Sequence, residues 1–233
     1  MLSPIPLTAP DVLAFLSGTR TQIRIPITAR NSLVDGRPSP KLFAALVWDE
    51  RVYVDAGPSP AGNDGPYLHV PHRNGDSVHR VYPKWGPGDR LWVQETWGVV
   101  KGNGLRIVYR ADGDPPMGRN GQQIVPMEWG ASTSMPRTFL GKRPSRLDLD
   151  VLSVRAQHLH DITTDDIIAE GIKVPDVDYR VPERPDVLDA ERDAYAREAY
   201  SKRWEEIYGA GSWTANGWVW AFTVKAEKQG ASR

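Results

Sequence analysis

Apolar and polar residues alternate along much of the chain, which indicates half-buried strands. Thr21, Ile23, Ile25 and Ile27 alternate with polar neighbours, and the same period of two recurs further on. The pattern predicts strands over Thr19–Ile25, Leu42–Trp48, Arg51–Val54, Arg90–Trp97, Leu105–Arg110, Arg146–Ala156 and Gly217–Lys225. Because only two acidic residues separate the second and third of these, we expect them to form a hairpin.

Helical patterns are fewer. A first helix is predicted over Pro10–Leu16, with its proline near the start and Gly18 just past the end. A long helix is predicted over Asp186–Tyr208, where many charges indicate a solvated outer face. Its rough apolar stripe consists of Leu188, Tyr195, Ala199 and Trp204. With many strands, few helices and long Pro/Gly-rich loops, the chain fits a small, mostly antiparallel barrel with flanking helices.

A third helix is short but carries strong local signals. Thr163 and Asp166 form a capping box, isoleucines on either side of the cap form a hydrophobic staple, and Gly171 ends the helix. A helix of barely two turns is not stable alone in water, so tertiary contacts must hold it. Glu170 lies in its last turn, where the helix dipole disfavours a carboxylate. That acid is therefore either simply solvated or retained for a function.

The amino-acid composition excludes several classes of function. Basic and acidic residues balance at 29 each, so no overall positive field indicates nucleic-acid binding, and only a local basic patch would serve. The absence of cysteine excludes a disulfide framework and a cysteine-ligated zinc site. The N-terminal residues lack the basic region of a signal peptide, and no apolar run reaches the ~18 residues of a membrane span. We expect a cytoplasmic protein with no membrane partner.

Two groups of residues are candidates for chemistry. Glu95 shares a face of its predicted strand with apolar residues, so it must find a partner or shift its pKa. It is either aimed into a cavity or paired with an arginine. His69, His72 and His79 lie in a segment that we expect to be irregular, without the spacing that aligns metal ligands. Since no phosphate loop, nucleophile elbow or His-Glu-x-x-His motif is present either, we expect neither a metal nor a cofactor.

Four segments in order span nearly the whole chain: GTRTQIR from Gly18, GDRLWVQETW from Gly88, DITTDDIIAEGI from Asp161 and GSWTANGWVWAFTVK from Gly211. They resemble motifs of the ASCH domain family, in particular its phage and prophage members. Met135-Pro136-Arg137 and Ser145-Arg146 are similar to a central element of the same family, split here by extra residues. The resemblance implies one α+β domain over residues 1–233 with a PUA-like barrel. Residues near 33–83, 112–134 and 173–190 would be insertions or variable loops.

The resemblance also implies a cleft lined by the first motif and the short helix. Family members are associated with RNA binding, some hydrolyse the acyl amide of N4-acetylcytidine, and a ribonuclease activity is known among them. In the amidohydrolases a lysine, a threonine and a glutamate carry the chemistry, and their places hold Arg20, Ile23 and Glu170 here. Arginine does not act as a base and isoleucine has no hydroxyl, so Thr21 would have to take over the role of the threonine.

Recognition of RNA, a nucleotide or a modified nucleobase is therefore the leading hypothesis. Guanidinium groups would donate to phosphate or a base edge, a carboxylate would accept from an exocyclic amine, and a tryptophan would stack on a base. The candidate ligand-binding residues are Arg20, Arg24, Glu95, Trp97 and Glu170, with Trp85 as a second stacking candidate.

Three alternatives stay open. As an enzyme, the chain would use Glu170, Arg20 and Thr21 as catalytic residues, either on N4-acylated cytidine or as a ribonuclease. Alternatively, Arg20 pairs with Glu170 or Glu95 as a brace, and the protein is a phage accessory or assembly factor without a small-molecule site. The deciding question is whether the segment after the first helix and the tip of the short helix meet.

Overall fold

A computed structural model of the chain describes residues 2–55, 66–102, 104–113, 129–131, 145–175 and 185–228. In chain order, its elements are β1 (Leu2–Pro6), α1 (Ala9–Leu16), β2 (Gln22–Pro26), β3 (Ser32–Val34), α2 (Pro40–Phe43), β4 (Tyr53–Asp55), β5 (Tyr67–Pro71), β6 (Val78–Pro83), β7 (Arg90–Gln94), β8 (Thr96–Gly102), β9 (Gly104–Tyr109), β10 (Trp129–Ala131), β11 (Leu147–His158), α3 (Thr164–Ala169), α4 (Pro185–Tyr208) and β12 (Trp218–Lys228). This mixture of helices and mainly antiparallel strands confirms the α+β class.

The chain divides into two compact units. The first unit consists of Met1–Arg20, Asp89–Asp150 and Lys225–Arg233, and the second of Thr21–Gly88 and Val151–Val224. In the described part of each unit the sheets are open, and no closed barrel is found.

The first unit contains two sheets and helix α1. In one sheet β7 lies between β1, which runs parallel to it, and the first residues of β11, which run antiparallel. In the other, β8 lies between β10 and β9, and both pairings are antiparallel. The buried apolar side chains of α1 and the first sheet include Ile5, Val12, Phe15, Leu91, Val93, Leu147 and Leu149, whereas Leu13 of α1 is exposed.

The second unit contains a four-stranded antiparallel sheet in the order β3-β6-β5-β4, and the strands β11, β12 and β2 as neighbours. Trp220 of β12 is fully buried, and its indole N–H donates to the Ser32 hydroxyl of β3 over 3.0 Å. A further cluster packs β12, α3 and α4 around buried apolar side chains: Leu159, Ile162, Ile167, Ala196, Tyr200, Trp204 and Val219.

Helix α3 has the ends that the sequence predicts. Thr163 is its N-cap and accepts a hydrogen bond from the backbone N–H of Asp166, while the Asp166 carboxylate reaches back to the Thr163 N–H. Gly171 follows the C-cap residue Glu170 with φ +84°, a left-handed conformation that glycine adopts without strain. The predicted need for tertiary support is confirmed, since Ile167 is fully buried in the apolar cluster.

Several other predictions are confirmed with shifted boundaries. The first and long helices, the strand over Leu105–Arg110, the strand over Arg146–Ala156 and the closing strand all form. The stripe predicted on α4 is confirmed at Trp204 but is wrong at Tyr195, which is exposed, and at Ala199, which is only half-buried. The buried residues are Ala196, Tyr200 and Trp204, each four residues from the next. Residue Leu188 belongs to α4, but its side chain lies outside the described part, as do Met135-Pro136-Arg137.

The predicted hairpin of Leu42–Trp48 with Arg51–Val54 is wrong. Pro40 instead opens the one-turn helix α2, where its fixed φ suits the first helical position. The strand that follows is β4, and it pairs with β5 rather than with the residues before it.

Three other segments differ from what their sequences indicate. The stretch that contains the three histidines is not irregular, because β5 and β6 pair there. Both strands belong to the region near residues 33–83 that was expected to be an insertion or a variable loop. Strand β1 forms although it contains two prolines, since an edge strand needs fewer backbone donors. The strand predicted over Arg90–Trp97 breaks at Glu95, and its two halves, β7 and β8, join different sheets.

No described helix has both the length and the apolar character that crossing a membrane requires.

Candidate functional site

The two segments that carry the first and third family-like motifs meet in the second unit. The Thr21 backbone N–H donates to the Ala169 carbonyl of α3 over 2.8 Å. Three residues further along, Arg24 of β2 donates from Nη1 to Glu170 Oε1 over 2.6 Å. Both side chains are buried, and that of Arg24 has no exposed surface. The arginine that meets Glu170 on β2 is therefore Arg24.

Asp166 extends this pair into a cluster of four charges. Its Oδ2 lies 2.7 Å from Arg24 Nη2, and its Oδ1 accepts a hydrogen bond of 2.5 Å from Arg155 Nη2. The Arg155 side chain is 50% exposed, so the cluster reaches solvent on this side. Counting Glu170, these four side chains carry two positive and two negative charges. We call Arg24, Arg155, Asp166 and Glu170, together with Tyr200, the Arg24 cluster.

Tyr200 joins the cluster from α4. Its hydroxyl lies 3.1 Å from both carboxylate oxygens of Glu170 and is the donor to them. Sequence reasoning missed this residue, because it assigned the neighbouring Ala199 to the apolar stripe of α4 instead of Tyr200. The spacing of Ala196, Tyr200 and Trp204 is the signal that identifies the buried face of the helix.

One edge of the Arg24 guanidinium has no hydrogen-bond partner among the described residues. Its Nε and Nη2 are both buried and unsatisfied. Although Nη2 is only 2.7 Å from Asp166 Oδ2, the two groups are not aligned as a hydrogen bond, so the contact is a charge pairing. An unsatisfied buried donor is costly, and Nε with Nη2 forms the edge of arginine that binds two adjacent acceptors.

The neighbouring arginines keep the Asp166 carboxylate ionised. Burial on its own raises the pKa of Asp166, but the Arg24 charge and the hydrogen bond and charge of Arg155 outweigh it. The pKa of Asp166 therefore lies below its usual value, and the carboxylate is ionised at neutral pH. It can accept a hydrogen bond from an amine without any change of protonation.

The other residues at the motif positions are less suited to catalysis. Arg20, in the first unit, forms a buried ion pair with Asp11 of α1, and its guanidinium lies 5.3 Å from the centre of the Phe15 ring. Ile23 is buried on β2 and has no reactive group. Thr21 is exposed and is held through its backbone, donating to Ala169 and accepting from Val224.

Glu95 is placed in the first unit, beside Arg146. Both carboxylate oxygens accept hydrogen bonds of 3.0 Å from Arg146, which also pairs with Asp112 at 2.7 Å and lies 4.2 Å from the centre of the Tyr109 ring. The prediction that Glu95 must find a partner or shift its pKa is confirmed in both respects. Burial raises the pKa of Glu95 above its usual value, in spite of the opposing hydrogen bonds and charge of Arg146. The site is a satisfied ion-pair network.

This raised pKa predicts a pH dependence of stability. Between the unfolded pKa of about 4.3 and the higher folded pKa, the folded state binds more protons than the unfolded state. The free energy of unfolding should therefore fall as pH rises through that interval. Glu95→Gln removes the titration, so wild type should lose stability relative to this variant over the same interval. Urea unfolding at several pH values measures the difference, and Glu50→Gln, at an exposed carboxylate, is the control. A difference that stays constant with pH contradicts the prediction.

The predicted base-stacking tryptophans are not at the surface. Trp97 is 3% exposed in the first unit and Trp85 is 8% exposed in the second, so neither presents an open ring face. In the described residues no group of three or more His, Asp or Glu side chains could hold a metal ion, and His69, His72 and His79 belong to the four-stranded sheet or its turn.

Comparison of the chain with protein-family models, curated proteins and solved structures gives no match. Function must therefore be argued from the residues themselves.

Proposed function

We propose that this chain is an ASCH-like domain of PUA-like fold that recognises a nucleobase, as a nucleotide or within RNA, in the cytoplasm. The observation that supports the proposal most directly is the unsatisfied edge of Arg24 beside two carboxylates. It arises where two family-like motifs come together, and the motif resemblance extends over nearly the whole chain.

The pattern of donors and acceptors fits cytosine. The Nε and Nη2 edge of Arg24 offers two parallel donors, which match the adjacent O2 and N3 acceptors of that base. Asp166 lies beside Nη2, and a carboxylate is the group that accepts from the exocyclic amine of cytosine. A base that displaces Arg155 from Asp166 would meet both groups together.

The charge balance favours a neutral ligand group over a phosphate. The positive charges of Arg24 and Arg155 are matched by the negative charges of Asp166 and Glu170, so a phosphate would add a third anion with no cation in the cluster to pair with it. A neutral base exchanges hydrogen bonds without adding charge. We therefore assign the cluster to the base and place the phosphates outside it.

Binding of cytidine and CMP, followed by quenching of tryptophan fluorescence, tests the proposal. We expect saturable binding to wild type and a loss of about tenfold or more in Arg24→Lys, which keeps the charge but loses the two-donor edge. Arg30→Lys, at an exposed loop position after β2, is the matched control and should bind as wild type does. Absence of saturable binding up to about 1 mM overturns the proposal.

A structural role for the same residues is the second candidate, and the complete burial of Arg24 against Glu170 favours it. In that case the protein is an accessory or assembly factor, and the cluster only joins β2, α3 and α4. Arg24→Lys would then change the free energy of unfolding while wild type binds neither cytidine nor CMP.

A further inference from the structure

A second set of side chains in the second unit forms a row across the four-stranded sheet. Tyr53 of β4 is paired in register with His69 of β5, which in turn is paired with Arg80 of β6. Side chains at paired positions point to the same face of a sheet, so the three stand side by side there. The row ends at β4, an edge strand of this sheet.

The row already contains an aromatic stack. The rings of Tyr53 and His69 are nearly parallel, at an interplanar angle of 13° and a centroid distance of 4.4 Å. Despite this contact Tyr53 is 56% exposed. One face of its ring is therefore covered by His69, while more than half of the residue's surface stays open to solvent.

Partly buried polar contacts hold the stack in place. Asp55 Oδ2 lies 3.5 Å from His69 Nε2 and accepts a hydrogen bond of 2.8 Å from the Tyr67 hydroxyl. Tyr67 is buried and packs 5.1 Å from His69, centre to centre. With His69 fixed on two sides, the Tyr53 ring has a preset orientation, which lowers the conformational entropy that a ligand must remove.

A cation completes the row. Arg80 is exposed. Its backbone N–H donates to Asp35 Oδ1 over 3.0 Å and the two charges attract each other, but within the described ranges no carboxylate forms an ion pair with its guanidinium group. It lies two strands from Tyr53, a separation of ~10 Å at the usual spacing between strands. An aromatic ring and an unpaired cation on one sheet face are the combination that binds single-stranded nucleic acid through a base and its backbone phosphate.

We propose that Tyr53, His69 and Arg80 form a stacking site for one base of a single-stranded RNA, with Arg80 contacting the backbone. The choice of RNA as ligand rests on the proposed function, but the residues are separate from the Arg24 cluster. This site would be tolerant of sequence, because every base has a face that can stack. It would supply affinity for the strand, and the Arg24 cluster would select the base.

Fluorescence anisotropy with a short fluorescein-labelled oligouridylate tests the site. Tyr53→Ala should weaken binding at least about fivefold, whereas Tyr53→Phe, which keeps the ring, should stay within about twofold of wild type. Tyr195→Ala is the matched control, since Tyr195 is 50% exposed on α4 and belongs to neither site. Arg80→Gln should weaken binding to all sequences alike and lower the slope of log affinity against log salt by about 0.7.

The outcomes separate this inference from the proposed function. If wild type does not bind the oligouridylate, or if Tyr53→Ala and Tyr195→Ala bind it equally well, the stacking site is wrong whatever the result with CMP. If Tyr53→Ala loses the oligouridylate but binds CMP as wild type does, both proposals are supported. If CMP does not bind while the oligouridylate still requires the Tyr53 ring, the stacking site stands and the assignment of the Arg24 cluster fails. Thermal unfolding of each variant checks that it is folded.

Discussion

Replacing Arg24 with methionine is expected to lower the free energy of unfolding by about 3–5 kcal/mol. The side chain has no exposed surface and faces both Glu170 and Asp166. Methionine fills much of the same volume but removes the guanidinium that pairs with the buried Glu170 carboxylate, and the Tyr200 hydroxyl that donates to both carboxylate oxygens carries no charge to replace it. An uncompensated buried charge costs far more than the lost pair itself contributes.

The double variant Arg24→Met with Glu170→Gln separates these two effects. Because it removes both charges, and the Tyr200 hydroxyl can still bond to the amide, we expect it to recover a large part of the loss, about 2 kcal/mol or more. Arg155→Met is the matched control. Arg155 pairs with the same Asp166, but its side chain is 50% exposed, so its loss should cost at most about 1 kcal/mol.

Urea unfolding followed by tryptophan fluorescence measures all three variants. A loss below about 1 kcal/mol in Arg24→Met, or equal losses in Arg24→Met and Arg155→Met, would show that the cluster is hydrated and that its burial does not govern stability. A double variant no more stable than the single one would show that Glu170 is not left uncompensated when the arginine is removed.

Ile167→Ala should lower the free energy of unfolding by about 2–5 kcal/mol, the usual cost of a large cavity in a core. Ile167 is fully buried and is the residue of α3 that belongs to the apolar cluster with Tyr200 and Trp204. A helix of six residues has little stability of its own, so its position depends on this contact. Loosening α3 also displaces Asp166 and Glu170, and cytidine binding should weaken along with stability.

Ile168→Ala is the control for that experiment. The residue type is the same and the position is adjacent, but Ile168 is only half-buried, so we expect a loss of about 1 kcal/mol and unchanged binding. Equal effects at the two positions would mean that α3 is held by its caps and charges rather than by apolar packing. Denaturant unfolding and fluorescence titration with CMP provide both readouts.

The aromatic residue proposed to stack on a base is not one of the tryptophans that the sequence suggested. Tryptophans were expected to stack a base beside Glu170, but Trp85 and Trp97 are buried. The ring proposed to stack on a base is instead that of the exposed Tyr53, in a region that sequence reasoning treated as an insertion. Exposed aromatic side chains on a sheet edge are hard to recognise in a sequence, because alternation indicates that two faces differ and does not show which face is covered.

The sequence by itself determined the local structure wherever short-range physics decides it. The N-cap Thr163 and Gly171 set the ends of α3, and the alternation after Gly18 produced β2, because capping, backbone conformation and side-chain period depend on neighbouring residues. The incorrect predictions concern residues whose conformation depends on distant partners. The residues around Leu42–Trp48 had strand-like composition, but Pro40 and the competing partner β5 decided their conformation.

Only the tertiary structure decided which charges meet. From the sequence, Arg20 was offered as the partner of Glu170 or Glu95 and Arg24 only as a ligand-binding residue, although both lie in the motif after the first helix. In the fold, Arg20 pairs with Asp11 of its own unit, whereas Arg24 contacts Glu170 across 146 residues of chain, and Tyr200 joins from a helix 30 residues beyond that. Electrostatic pairing depends on distance and burial in three dimensions, and neither is fixed by the spacing of residues along a chain.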